Sequence, residues 1–141
     1  MTPSQACYSL TEASEGCKLH SYQDTGGVWT IGYGHTSGVR PGQVITQAVA
    51  ETLLKHDMEY AAGIVNAHAM PCTQNQFDAL TDFVFNVGPS LFLSSTLLKK
   101  HLAGDHQGAA NEFPKWKYDN HVVQPGLVTR RAAERKLYLG Q

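Results

Sequence analysis

The stretch Glu15-Gly16-Cys17-Lys18-Leu19-His20-Ser21-Tyr22-Gln23-Asp24-Thr25-Gly26-Gly27-Val28-Trp29-Thr30-Ile31-Gly32-Tyr33-Gly34-His35 decides how the chain is read. Leu19–Gln23 and Val28–Tyr33 read as two short strands. Asp24-Thr25-Gly26-Gly27 supplies the turn between them. Upstream, Thr2-Pro3-Ser4-Gln5 reads as a helix start, with Thr2 as N-cap, Pro3 at the first position and Gln5 completing a capping box. Ala6, Leu10, Ala13 and Cys17 mark one face at helical spacing, and Gly16 suits the C-terminal cap. The pattern predicts a helix that delivers the chain directly into a small hairpin.

Downstream the pattern turns helical. Seven of the thirteen glycines fall between Gly16 and Gly42, so the frequent turning is confined to that region. A third short strand is expected near Val44-Ile45. Thr46 caps a long helix to about His68, with Val49, Leu53, Met58, Ala61 and Val65 on its apolar side. Thr73 and Gln76 form a capping box for a helix through Phe77, Leu80, Val84 and Val87, stopped by Gly88-Pro89. Further helices are expected near Ser95–Ala103, from Asp105, and over about Leu127–Leu139. The expected architecture is a single α+β domain: a small sheet lobe over about 16–45, a linking helix over 46–68 and a helical lobe over 71–141.

Length and composition bound the rest. A chain of 141 residues with 42% hydrophobic residues can bury one core without staples. No apolar stretch approaches the ~20 residues of a membrane span. Met1-Thr2-Pro3-Ser4 shows no basic-then-apolar region, so neither a signal peptide nor an anchor is expected. A net charge of −1 argues against nucleic acid as a partner. The charge is uneven: residues 1–98 carry −5 and residues 99–141 carry +4. A basic C-terminal third can meet an anionic polymer or form a solvated helix face. Cys7, Cys17 and Cys72 have no CxxC spacing and read as thiols of a reduced compartment, with a Cys7–Cys17 bridge left open.

Glu15 sits in the last turn of the first helix, where the macrodipole disfavours a carboxylate and so favours the neutral acid. A carboxylic acid kept protonated can give a proton to a leaving oxygen. Taken singly, the ordinary readings are a surface Glu15, a turn residue at Asp24 and a packing residue at Thr30. Taken together, a helix-end Glu and a turn Asp just downstream can face each other across a cleft. Carboxyls ~6.5–9.5 Å apart leave room for a water, as in inverting glycosidases. Thr30 on the neighbouring strand could give that water a second hydrogen bond.

Glu15, eight residues, Asp24, five residues, Thr30 and then Gly32-Tyr33-Gly34-His35 closely resembles the phage-type lysozymes, or endolysins, of glycoside hydrolase family 24. Phe85-Asn86-Val87-Gly88, Ser95-Thr96-Leu97-Leu98 and Pro125-Gly126-Leu127-Val128-Thr129-Arg130-Arg131-Ala132-Ala133-Glu134-Arg135 extend the resemblance over nearly the whole chain. It implies a lysozyme-like two-lobe α+β domain, mostly helical, with a small N-terminal antiparallel β-sheet, whose cleft binds a peptidoglycan glycan strand. In that reading Glu15 protonates the oxygen between N-acetylmuramic acid and N-acetylglucosamine, while Asp24 and Thr30 hold the attacking water. Phe85, Asn86 and Gly34 would contact substrate, and His35, Arg130, Arg131 and Glu134 would support the site. Arg130 and Arg131 each reach Glu134 at helical spacing, and one of them could instead approach Glu15. The resemblance further implies a monomer without cofactor or metal and without stable membrane association. It would accumulate in the host cytoplasm and reach the wall once a separate membrane-permeabilising protein opens the way.

Rival readings are weaker. A lytic transglycosylase cleaves the same bond but has no use for an Asp–Thr water site. A non-catalytic peptidoglycan-binding module has no use for Glu15 either. The seven histidines include no HExxH pair for a zinc peptidase, and a Cys17–His35 protease lacks a partner asparagine.

Overall fold

The structure is a computed structural model that describes all residues from Met1 to Gln141. Helix α1 (Gln5–Glu15) begins two residues later than Thr2-Pro3 suggests. Ser4 is its N-cap, accepting from the Ala6 N–H at 3.2 Å. A tertiary contact selects that cap: the Ser4 N–H also donates to Asp78 Oδ1 at 3.0 Å, and its hydroxyl bonds the other oxygen. The buried face of α1 is Cys7 and Thr11 rather than Ala6, Leu10 and Ala13.

Strands β1 (Lys18–Gln23) and β2 (Trp29–Gly32) form an antiparallel pair in which Tyr22 faces Thr30 and Gln23 faces Trp29. The strand expected near Val44-Ile45 is a single bridge, His20 to Val44. Helix α2 (Gln47–His68) carries the Thr46 cap, and its buried line is Ala50, Leu54, Met58, Ala61, Ala62 and Val65. Met58, Ala61 and Val65 are buried as expected, but over the first turns the line runs through Ala50 and Leu54 instead of Val49 and Leu53, leaving Val49 exposed.

Helix α3 (Gln74–Val87) has the full Thr73/Gln76 capping box, and every residue from Gln76 to Val84 is buried. Such all-round burial makes it the axial helix of the helical lobe. Around it lie α4 (Pro89–Leu93), α5 (Thr96–Leu102), α6 (His106–Ala110), a 3-10 turn over Phe113–Lys115 and α7 (Pro125–Tyr138). Phe83 packs edge-on against Phe92, Phe113 and Trp116 at the centre of this core. A second hairpin, β3 (Tyr118–Asp119) and β4 (Val122–Val123), precedes α7 and was not legible in the sequence. Helix α1 packs on α3 and α7, so the chain's first helix belongs to the helical lobe, while α2 joins that lobe to β2. No helix is long and apolar enough to cross a membrane, and all three cysteines are free.

One buried polar cluster bears on stability. The His101 Nε2–H donates to the Ala69 carbonyl at 2.7 Å, so Nδ1 accepts from the Tyr138 hydroxyl at 2.6 Å. His106 stacks on the ring at 5.5 Å, and Cys72 Sγ lies 3.5 Å from Nε2. Burial, with the His106 field, lowers the His101 pKa, while burial pushes the Cys72 thiol up to about 11. The unfolded chain therefore binds more protons at this histidine, and the stability it contributes is lost as pH falls below ~6.5. The melting temperature should fall between pH 7 and pH 5 by circular dichroism, and His101→Gln should flatten that decline. An equal slope in both proteins would place the titration elsewhere.

Candidate active site

Two residues four apart on α1 anchor the site. The Thr11 hydroxyl donates to Asp82 Oδ1 at 2.6 Å, and one turn later Glu15 reaches the same partner group through an arginine. Asp82 is fully buried on α3 and grips Arg130 of α7 through two parallel bonds, Nε at 3.0 Å and Nη2 at 2.7 Å. This fork geometry fixes the guanidinium plane and leaves Nη1 aimed at Glu15 Oε1, at 2.6 Å. Arg130, not Arg131, is thus the arginine that contacts Glu15. Burial pushes the Asp82 carboxyl up, but the Arg130 hydrogen bonds and charge outweigh it and hold Asp82 below its usual value.

Behind this pair lies a second one. Arg131 and Glu134 are both fully buried, and Arg131 Nη1 donates to both Glu134 oxygens at 2.9 and 2.8 Å. Burial, reinforced by the neighbouring Asp82 charge, pushes the Glu134 carboxyl well up. Arg130 lies 3.9 Å from Glu134, so its expected helical pair is its weakest one. Arg131 Nη2 donates to the side-chain oxygen of Asn86.

Glycine is required at two points around Glu15. Gly16 ends α1 at φ +64, and its N–H caps the Glu12 carbonyl at 2.9 Å. Gly34 adopts φ +75 directly against the Glu15 carboxyl, and a Cβ there would collide with Oε2. Gly34→Ala should therefore displace Glu15 and cut turnover ~10²-fold, the scale of a misplaced reacting group. The left-handed backbone adds ~1–2 kcal/mol of destabilisation. Unchanged turnover would show that the carboxyl position tolerates the shift.

Asp24 and Thr30 are both tied to the peptide groups of Val28. Asp24 Oδ1 accepts from the N–H groups of Gly26 at 2.9 Å and Val28 at 2.8 Å. The Val28 carbonyl accepts from the Thr30 hydroxyl and from the Asp24 N–H, each at 2.9 Å. Tyr22 feels both carboxylates: burial raises its phenol pKa first, and the charges of Glu15 and Asp24 add to it. His35 bridges the lobe locally, Nδ1 to Asp57 Oδ2 at 2.7 Å and Nε2 to the Ser37 carbonyl at 2.9 Å.

A cleft of about 640 Å³ runs between the lobes, with Asp24, Thr25 and Gly26 on one wall and Asn86, Val87, Trp116 and Tyr118 on the other. A smaller hollow of about 180 Å³, bordered by Gly34, Asp57 and Phe85, lies beside it. The Thr25 hydroxyl donates to Asp119 Oδ2 at 2.6 Å, so the second hairpin touches the opposite lobe. Sequence reasoning missed Thr11, Tyr22, Asp82 and this hairpin. Of these, only Asp82 carried a signal, as an acidic residue in an apolar helical run.

The sequence profile described as "Phage lysozyme" matches residues 12–134. The chain is 43% identical over 134 residues to an endolysin of Acyrthosiphon pisum secondary endosymbiont phage 1, covering 92% of each protein. It is 45% identical over 143 residues to an endolysin of Bacillus phage B103, covering 99% of this chain but 54% of that protein, so it spans about half the length of that relative. The muramidase domain of SpmX from Asticaccaulis excentricus superposes with a TM-score of 0.89 at 37% identity, covering 96% of both chains. The spacing of Glu15, Asp24 and Thr30, the two-lobe fold and these likenesses agree: the chain belongs to the phage lysozyme family of glycoside hydrolases.

Proposed function

We propose that the protein is an endolysin that hydrolyses the β-1,4 bond between N-acetylmuramic acid and N-acetylglucosamine in bacterial peptidoglycan, with inversion at the anomeric carbon. Glu15 donates its proton to the leaving oxygen. Asp24 and Thr30 bind the attacking water on the opposite face of the sugar.

The anchoring of Asp24 and Thr30 on Val28 carries this reading. The Thr30 hydroxyl spends its proton on the Val28 carbonyl, so toward a water it presents only a lone pair. Asp24 Oδ1 is occupied by two N–H groups, which leaves Oδ2 as its open acceptor. A water between them donates one proton to each and keeps an oxygen lone pair for the anomeric carbon. Asp24 then takes the proton as the bond forms. Phe85, Asn86 and Gly34 line the hollows that would receive the glycan.

The reading extends to a monomer that reaches its substrate from the host cytoplasm after a separate membrane-permeabilising protein gives access. Proton NMR of fresh digests tests the chemistry. Inversion gives the α-anomer of a reducing muramic end first, a β-anomer means retention, and 1,6-anhydro ends mean transglycosylation.

A further inference from the structure

A proton donor bonded to a guanidinium is a conflict, because a neighbouring positive charge favours the ionised carboxylate. The other bonds of Arg130 resolve it. Asp82 takes Nε and Nη2, while Glu15 takes only Nη1. The Asp82 side chain is fully buried, whereas Glu15 keeps 19% of its side-chain surface in solvent. Against the push of burial, the Arg130 bonds and charge keep Asp82 ionised, and the Thr11 hydroxyl adds a third donor. Glu134 does not fill this part, because Arg131 Nη1 holds both its oxygens and Arg130 Nε lies 3.9 Å away. On the sheet side, Tyr22 feels the charges of Glu15 and Asp24, and Lys18 Nζ lies over the Tyr22 ring. On α1 itself, Glu12 sits one turn back.

We propose that Asp82 is a positioning residue for the acid: it takes up the Arg130 charge, so that the guanidinium holds Glu15 by a hydrogen bond without forcing it to ionise. The proposal rests on Glu15 being the proton donor. Because Nη1 donates to Oε1, the proton of the neutral acid sits on Oε2, the oxygen that lies against Gly34. Arg130 thereby fixes which atom carries the proton, and Asp82 lets it stay there.

Rates on purified peptidoglycan across pH, for the wild type and Asp82→Asn, test this. Asn keeps the shape but leaves the Arg130 charge to Glu15 alone. An uncompensated cation at this range lowers a carboxyl by about one to three units, so the alkaline limb of the kcat/KM profile should move to lower pH by about that amount. The rate at pH 7 should fall ~10-fold or more and recover on acidification. Thr11→Val loosens the same contact between α1 and α3 without changing any charge, so it should lower the melting temperature and leave the limb in place. A uniform loss at every pH in Asp82→Asn, an unmoved limb, or an equal shift in Thr11→Val would overturn the assignment. Should Asp82→Asn fail to fold, carboxyl-carbon NMR of the wild-type protein decides. The Asp82 carboxyl should stay ionised across the whole active range, and a protonation step within that range would overturn the proposal. Near-normal turnover in Glu15→Gln would instead remove the acid itself, whatever the Asp82 variants show.

Discussion

Glu15→Gln is expected to lose at least ~10²–10⁴-fold in turnover on purified peptidoglycan, the range contributed by general acid catalysis. Gln preserves shape and keeps an oxygen to accept the Arg130 Nη1–H at the 2.6 Å position now held by Oε1. What it lacks is an acidic proton for the leaving sugar. Because Arg130 remains clamped by Asp82, the helical lobe should melt at nearly its wild-type temperature. A folded Glu15→Gln protein with near-normal turnover would remove Glu15 from the chemistry.

Thr30→Val should cost ~10²-fold in turnover by misplacing the water, with little change in glycan binding. The substitution is clean because the Val28 carbonyl does not go unsatisfied: the Asp24 N–H still reaches it at 2.9 Å. Valine also keeps the β-branched shape that suits a buried strand position. An unchanged melting temperature with a large fall in rate supports the water site. Full activity would make Thr30 a packing residue and leave Asp24 to hold the water alone.

The local elements were legible because their signals are local. Thr46 and the Thr73/Gln76 box cap the helices they were expected to cap, and Ser95 and Asp105 prove to be the N-caps of the helices expected to start there. The faces were less legible, because burial on α1 follows a polar demand: Thr11 is buried to hold Asp82, and no hydrophobic count predicts that. The second hairpin hid for a similar reason. Its strands are two residues long, and its turn uses Asn120 and His121 at positive φ where an Asn-Gly signal would have been read. At the candidate site, Glu15, Asp24 and Thr30 could be proposed from their combined spacing and the family resemblance. The choice between Arg130 and Arg131 could not, since both share a helix with Glu134 and only the packing of α1 on α7 decides it.

Glu15 and Arg130 lie 115 residues apart in the chain. Synthesis from the N-terminus therefore makes the acid long before its guanidinium. The helix that carries Glu15 can dock on α3 first, through Ser4 to Asp78 and Thr11 to Asp82, but its carboxyl meets Arg130 only when α7 has emerged. A nascent or prematurely terminated product therefore holds the carboxyl without the group that aims it. In this member of the phage lysozyme family, the aimed carboxyl exists only once α7 has been made and docked.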